Sequence, residues 1–212
     1  MARLLPLFPL SLVAMPGAAI PLHIFEERYR EMVGEAEATR TDFGIVRTIT
    51  RGEESGIANV GCTVIVEAVT HRYPDGRFDI ATRGWRRFRI LSLNDEKAWL
   101  RGEVEYFDDE DEGPAANEVI EKAFAAWRRL QYEVAEGEPA APDRESRDLS
   151  FRMAESIDDL DFRSILLQSR SEAQRLKLFT DFVEAYIPRL QYVAMMKKRA
   201  PTNGAGHKRP GA

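Results

Sequence analysis

The stretch "PLFPLSLVAMPGAAIPLHIFEERYREMV" (residues 6–33) changes its hydrophobic period part-way along. Its first half is apolar and interrupted by prolines, which indicates extended chain rather than helix. From there on, apolar residues recur at the spacing of one helix face: Phe25, Tyr29, Met32, Val33 and Ala36. The stretch therefore predicts short strands followed by a helix with one buried face.

The start of the chain also resembles a secretory signal peptide, because Arg3 precedes the apolar segment and small residues follow it. Pro6 and Pro9 argue against export, since the apolar part of a signal peptide is a continuous helix. The run is also shorter than the ~20 apolar residues that span a bilayer. We therefore expect a soluble protein in which this run is part of the fold.

Composition narrows the class of protein further. The 212 residues carry a net charge of -5, which disfavours a dedicated polyanion binder, so nucleic acid is not the expected partner. Cys62 is the one cysteine, and it lies in an alternating apolar run that indicates a buried, inert thiol. With no disulfide available, a cytoplasmic location is expected.

Strand-like runs follow the first helix at residues 43–50, 61–73, 77–82, 84–93 and 98–107. The Pro-Asp-Gly turn at residues 74–76 predicts a hairpin between the second and third of these runs. Regularly spaced strands without a long helix between them favour a closed or strongly curved antiparallel sheet. Residues 1–107 are therefore predicted to form a small β-barrel carrying one helix.

The remaining half of the chain reads as helical. Residues 108–118 begin with a run of acids and contain Gly-Pro, which predicts a linker that does not pack. Residues 119–196 show helical stripes and predict a bundle, with Ser171 and Gln174 at capping-box spacing before a long last helix. Pro188 is expected to kink or split that helix. Residues 197–212 predict a disordered basic tail.

Several of these segments resemble the N-terminal, substrate-recognition domain of Lon-type ATP-dependent proteases, a family that also includes free-standing proteins. The resemblance rests on "LPLFPLSLVAMPGAAIPLHIFEERYREMV", "FGIV", "GCTVIVEAV", "DGRFDIATRGWRRFRI" and "ILLQSRSEAQRL", which follow in the family's order over about residues 3–190. It implies an α+β fold in which a PUA-like antiparallel β-barrel with one helix precedes an α-helical bundle. It also implies that the opening run supplies the first strands and that no cofactor is used.

Motifs for catalysis or metal binding are missing from the sequence. A P-loop needs Gly-Lys followed by Ser or Thr, and no Gly-Lys dipeptide occurs. No serine lies in a glycine-rich elbow, although spacing cannot exclude a Ser-Lys pair that only folding creates. His23, His71 and Cys62 do not stand at metal-ligand spacing. We therefore expect neither an enzyme nor a metal protein, and a peptidase label would be inherited from full-length Lon.

The segment "GWRRFRI" (residues 84–90) is the strongest local signal for a surface. Strict alternation places Trp85, Arg87 and Arg89 on one face of a strand, so at least one guanidinium lies beside the interior of the sheet. Three interpretations remain open: structural salt bridges, a patch that contacts peptides, and a platform that stacks nucleic acid.

Together these features predict a non-catalytic module that binds polypeptides or unfolded segments through an apolar surface between barrel and bundle. The candidate protein-binding residues are Trp85, Arg86 and Arg87 on the barrel, with Tyr29 and Arg30 on the first helix. A protease is a second candidate partner, a membrane is not expected, and the oligomeric state stays open. The alternatives are an RNA-binding PUA-like module and a small hydrolase with a cryptic site.

Overall fold

The computed structural model describes residues 4–110, 113–134 and 140–199. It is a mixed α+β fold in which six strands, with one helix between the second and third, precede the remaining helices along the chain. The strands are β1 (Leu5–Leu10), β2 (Ala19–Ile24), β3 (Phe43–Arg51), β4 (Glu54–Arg72), β5 (Phe78–Asn94) and β6 (Arg101–Tyr106). The helices are α1 (Glu27–Thr39), α2 (Asn117–Val134), α3 (Leu149–Met153), α4 (Leu160–Gln168) and α5 (Glu172–Arg199), with a short 3₁₀ turn at Ala154–Ser156.

The strands form one sheet in the order β2-β5-β4-β3-β1-β6, and β5 also pairs with β6. The expectation of a purely antiparallel sheet is wrong at one place, because β1 and β3 are parallel. The chain between them includes β2 and α1, which provides the long crossover that parallel strands require. All the other pairings are antiparallel.

The helix predicted from residues 6–33 is α1, and its buried residues are Tyr29, Met32, Val33 and Ala36. Phe25, which was assigned to the same face, precedes the helix and is exposed. The chain leaves α1 at Arg40, which adopts a left-handed conformation with φ of 52°. Its backbone N–H donates to carbonyl groups of the last turn and so closes the helix.

The predicted hairpin joins β4 and β5, and Gly76 in its turn has φ of 86°. This conformation favours glycine, as the Pro-Asp-Gly signal indicated. The runs at 77–82 and 84–93 are one strand rather than two. Because β5 is 17 residues long, it pairs with β2 and β4 in its first part and with β6 in its last.

Two buried clusters lie on opposite faces of β5. Phe88 packs with Leu5, Leu7 and Val46 in a small cluster formed by strands. Gly44 and Gly61 lie directly against its ring: a Cβ on Gly61 would be 2.5 Å from Cζ of Phe88. The second, larger cluster runs from the strands into the helices without interruption.

Helices α2 and α5 run in the same direction side by side. Arg129 lies 3.9 Å from Glu184, and four residues further along α2, Glu133 accepts a hydrogen bond from Gln191 at 2.7 Å. The amphipathic stripes meet between them, and Ala123, Trp127 and Leu130 of α2 are buried. Both helices therefore begin at the same end of the molecule.

The last helix starts as predicted and then continues past Pro188. Ser171 Oγ accepts a hydrogen bond from the backbone N–H of Gln174. The helix is not split at Pro188 but runs to Arg199, so it includes the first three residues assigned to the basic tail. Residues 200–212, the rest of that predicted tail, lie outside the described residues. Among the described helices, none combines the length and apolar composition that a bilayer span requires.

Candidate functional site

A bulge in β5 separates the side chains of the "GWRRFRI" segment. In the ladder with β4, Gly84 pairs with Val64 and Arg87 pairs with Cys62, so Trp85 and Arg86 together face Thr63 alone. The backbone N–H of Arg86 donates to the Thr63 hydroxyl at 3.2 Å. The bulge interrupts the expected alternation, and Trp85 is 55% exposed whereas Arg87 is buried.

A cleft of about 1380 Å³ opens between this part of β5 and the helical half of the chain. One wall is residues 84–87 with Pro16 and Gly17. The opposite side comprises the first turns of α2 and α5, residues 113–115 and residues 144–149. Because α2 and α5 run in the same direction, both present their N-terminal ends here, where the helix dipole is positive. We call this space the cleft.

The floor of the cleft is an ion-pair network around Asp109. Arg87 donates to Asp109 at 2.5 Å and to the carbonyl oxygens of Ser169 and Leu167 at 2.5 and 3.3 Å. Arg175 of α5 donates to both oxygens of the same carboxylate, at 2.6 and 2.5 Å. The network therefore ties β5, the segment after β6 and the start of α5 to one another.

Glu172 completes the network on the helical side. It accepts a hydrogen bond from Arg175 at 2.6 Å and receives the N–H and hydroxyl of Ser150 at 2.8 and 2.6 Å. Arg175 is fully buried, and its guanidinium lies 4.4 Å from the centre of the Phe151 ring. Two buried guanidiniums thus face two carboxylates, which satisfies the requirement that buried charges be paired.

Electrostatics within the network favour the ionised forms of Asp109 and Arg175, whereas the pKa of Arg87 is lowered. Burial raises the pKa of Asp109, but hydrogen bonds and charge from Arg175, together with the charge of Arg87, outweigh it and leave this pKa below its usual value. Burial also lowers the pKa of Arg87, while Asp109 opposes that change. For Arg175, the pKa is raised because Asp109 and Glu172 outweigh the effect of burial. The network is therefore a structural salt-bridge cluster, one of the three interpretations of the arginine-rich segment.

The acidic segment does not behave as a linker at its start. Asp109 belongs to the network, and the backbone N–H of Glu110 donates to the carbonyl of Arg170 at 2.8 Å. The expectation that residues 108–118 do not pack therefore fails at these two positions. Arg87 explains the difference, because Asp109 is its carboxylate partner among the described residues and an unpaired guanidinium in the interior is costly.

Trp85 and Arg86 form the accessible part of the site. The guanidinium of Arg86 lies 4.2 Å from the centre of the Tyr106 ring on β6 and 6.0 Å from that of Trp85. Such stacking holds the charge beside the aromatic rings. The indole of Trp85 remains open to solvent on the wall of the cleft, where a ligand can contact it.

Tyr29 and Arg30 lie on α1 and do not line the cleft. The Tyr29 ring is buried against Phe8, with ring centres 4.1 Å apart, and burial raises its pKa. Arg30 donates to the backbone carbonyl of Asp75 at 3.0 Å and so links α1 to the β4–β5 turn. The structure therefore brings three of the five predicted residues together and leaves these two apart.

The described residues offer no group of three or more His, Cys, Asp or Glu side chains that could hold a metal ion. His23 and His71 stand in register on either side of Asp79, and Nδ1 of His23 lies 2.5 Å from its carboxylate. Cys62 is buried, which raises the pKa of its thiol to about 12 and makes it a poor nucleophile.

Sequence reasoning missed Asp109, Glu172 and Arg175. Glu172 and Arg175 are spaced three apart in the first turn of α5, a spacing that predicts a surface pair rather than a buried network. Asp109 is one of five consecutive acids, so composition gave no reason to distinguish it from its neighbours.

Comparisons with known proteins agree with this architecture. The family model of the ATP-dependent protease La (LON) substrate-binding domain matches residues 4–185. A crystal structure of a Lon N-terminal domain protein from Xanthomonas campestris is 30% identical, with a TM-score of 0.63, over 82% of this chain and 95% of that chain. The N-terminal domain of a Mycobacterium avium complex Lon protease is 16% identical, with a TM-score of 0.57, over 86% of this chain and 98% of that chain, and shows the fold alone.

These matches concern a substrate-binding domain and include neither an ATPase nor a peptidase module. They give no support to the RNA-binding alternative. Since the family match covers most of the sequence, the chain belongs to the family of the ATP-dependent protease La (LON) substrate-binding domain.

Proposed function

We propose that this chain is a non-catalytic module that binds extended or unfolded polypeptide segments in the cleft. The observation that carries the proposal is the cleft itself, which is larger than the roughly 300–1,000 Å³ of a small-molecule site and has an exposed indole on its wall. Membership of a substrate-binding family supports the same function.

Trp85 and Arg86 are the residues we propose to contact the polypeptide. Tryptophan and arginine dominate binding energy at protein interfaces, and both lie at the cleft with part of their surface accessible. Arg87 has a different role in this proposal, because its guanidinium is already paired with Asp109 and keeps the wall in place. Tyr29 and Arg30 support α1 and its contact with the β4–β5 turn rather than the polypeptide.

We further propose that the strands form a PUA-like barrel and that the helices after residue 118 form a separate bundle. The pairings support the barrel, since β5, β4, β3, β1 and β6 each pair with the next and β6 returns to β5. Direct contact between α2 and α5 supports the bundle. The boundaries at residues 107 and 119 remain proposals, because the large core cluster includes residues of both parts.

Unfolded polypeptide is the partner class that fits this function, with a protease as the recipient of the bound segment. We expect the protein to work in the cytoplasm, in keeping with its single buried thiol. No catalytic group is needed for this role, and the polypeptide should leave the protein uncleaved.

Fluorescence anisotropy tests the proposal. A labelled, permanently unfolded polypeptide is titrated with the full chain at two salt concentrations, and the same samples are run on a gel. The proposal predicts saturable binding, weak salt dependence and an intact probe. A steep loss of affinity with salt for a labelled RNA, without binding of the polypeptide, would instead support the RNA-binding alternative.

A further inference from the structure

The last turns of α5 carry exposed apolar side chains. Among the side chains of the helix that the structure describes, Ile187 is the last buried one, and those from Gln191 to Met196 are all exposed. At 100° per residue, the exposed apolar side chains cover one arc of roughly 160°; they are Tyr192, Val193, Met195 and Met196. Neither α2 nor any other described element covers this face. We call residues 189–199 the extension.

The extension is basic as well as apolar. Arg189, Lys197, Lys198 and Arg199 lie in it, and it has no acidic residue. The whole chain has a net charge of -5, so the remainder is more acidic than that figure. Exposed methionine and tyrosine on a segment whose sequence is basic suit a partner that is apolar and acidic.

The cleft has this complementary chemistry. Six acidic and four basic residues line it, together with apolar groups that include the exposed indole of Trp85. Three of the lining carboxylates, those of Asp108, Glu145 and Asp148, form no ion pair with a described residue. Two lining guanidiniums, those of Arg86 and Arg147, are likewise unpaired, so the carboxylates exceed the guanidiniums by one.

Geometry prevents the extension from reaching the cleft of its own chain. The cleft lies at the first turn of α5, and Tyr192 in the extension is 20 residues further along the helix than Glu172, a separation of roughly 30 Å. While α5 stays helical, one end cannot fold back on the other. Only a second molecule can bring the two surfaces together.

We propose that the cleft of one copy binds the extension of a second copy, so that the protein associates head to tail. The proposal rests on the proposed function, since it uses the cleft as a polypeptide-binding site. Charge also disfavours the symmetric alternative, because pairing of two extensions brings together two segments that each carry four basic residues and no acid. Association of this kind uses two different surfaces and competes with binding of other polypeptides.

Mixing two variants tests this arrangement. Trp85→Arg places a positive charge in the cleft but leaves the extension intact. The double variant Tyr192→Glu, Met196→Glu changes the extension but leaves the cleft intact. All three side chains are exposed, so circular dichroism should show folded protein in both cases.

Sedimentation velocity should show that the mass of the wild type increases with concentration, whereas each variant alone stays monomeric. An equimolar mixture of the two should form dimers and nothing larger, because only one cleft and one extension remain functional. A wild type that stays monomeric at all concentrations overturns the proposal, even if its extension binds acidic vesicles or another acidic protein. Self-association that persists in the Trp85→Arg variant also overturns it.

The same variants separate this proposal from the proposed function. When the wild type is concentrated enough to associate, the extension variant should bind the unfolded probe more tightly than the wild type does, since its cleft is free. If the extension variant binds the probe and the wild type is monomeric, polypeptide binding stands and self-association is wrong. If neither protein binds the probe at any concentration, the proposed function is wrong and the association proposal loses its basis.

Discussion

Arg175 and Asp109 form a two-point ion pair, in which Nη1 and Nη2 of the guanidinium donate to different carboxylate oxygens at 2.6 and 2.5 Å. Arg175 is on α5 and fully buried, whereas Asp109 follows β6 and its side chain is about one-third exposed. The pair joins the helical half of the chain to the strands, and Arg87 extends it to β5. The floor of the cleft depends on this contact.

Removal of the shared carboxylate should destabilise the protein. Asp109→Asn removes the carboxylate that pairs with Arg87 and leaves Arg175 with Glu172 as its carboxylate partner among the described residues. We expect the free energy of unfolding to fall by about 2–4 kcal/mol, towards the lower value because Asp109 is partly exposed. Urea denaturation measures the change, and Asp108→Asn, a neighbouring exposed carboxylate, is the control with an expected change below about 0.5 kcal/mol. Equal effects at the two positions would contradict the account of the network.

The contribution of Asp109 should depend on pH. Its pKa in the folded protein lies below the ordinary value, so its stabilising effect is complete above the unfolded pKa of about 3.9 and disappears as the pH falls through the folded pKa. The stability difference between the wild type and Asp109→Asn should be constant from pH 7 to pH 6 and decrease below about pH 4. Denaturation curves for both proteins across this range provide the measurement. A difference that grows on acidification is incompatible with a lowered pKa.

Packing around Phe88 predicts a position-specific effect of added methyl groups on β4. A Cβ at Gly61 would lie 2.5 Å from the Phe88 ring and 2.6 Å from the carbonyl oxygen of Ile45, so Gly61→Ala should cost about 1–3 kcal/mol or more. Gly56 lies on the same strand with no atom within 4 Å of such a Cβ. Gly56→Ala should therefore be neutral or stabilise by up to about 1 kcal/mol. Thermal unfolding of both variants measures these changes in stability. Similar losses of stability at both positions would show that the contact with Phe88 does not limit packing.

Periodicity was sufficient to predict the main elements near the start of the fold. The stripe containing Tyr29, Met32 and Val33 marked the buried face of α1, and the Pro-Asp-Gly turn marked the β4–β5 hairpin. The parallel pairing of β1 and β3 could not be predicted in this way, because alternation within a strand says nothing about the direction of its neighbour.

Sequence reasoning predicted only part of the candidate site, again because the pairing between strands cannot be inferred from one strand alone. The arginine-rich segment was recognised, but strict alternation placed Trp85 and Arg87 on one face, and the bulge opposite Thr63 separates them. A bulge depends on the pairing of two strands rather than on either sequence alone. Arg175 could not be assigned to the site either, because only the folded chain brings α5 next to the segment after β6.

Trp85 provides the most direct test of the central claim that the cleft binds polypeptide. Trp85→Ala removes an exposed side chain and should leave the thermal stability unchanged, while weakening binding of the unfolded probe by roughly tenfold or more. The matched control is Tyr132→Ala, since Tyr132 is 90% exposed near the far end of α2 and does not line the cleft. Anisotropy titrations should show weaker binding for Trp85→Ala and wild-type binding for Tyr132→Ala. Undiminished affinity in the Trp85→Ala variant, or an equal loss in both variants, would contradict the assignment of the cleft as the binding site.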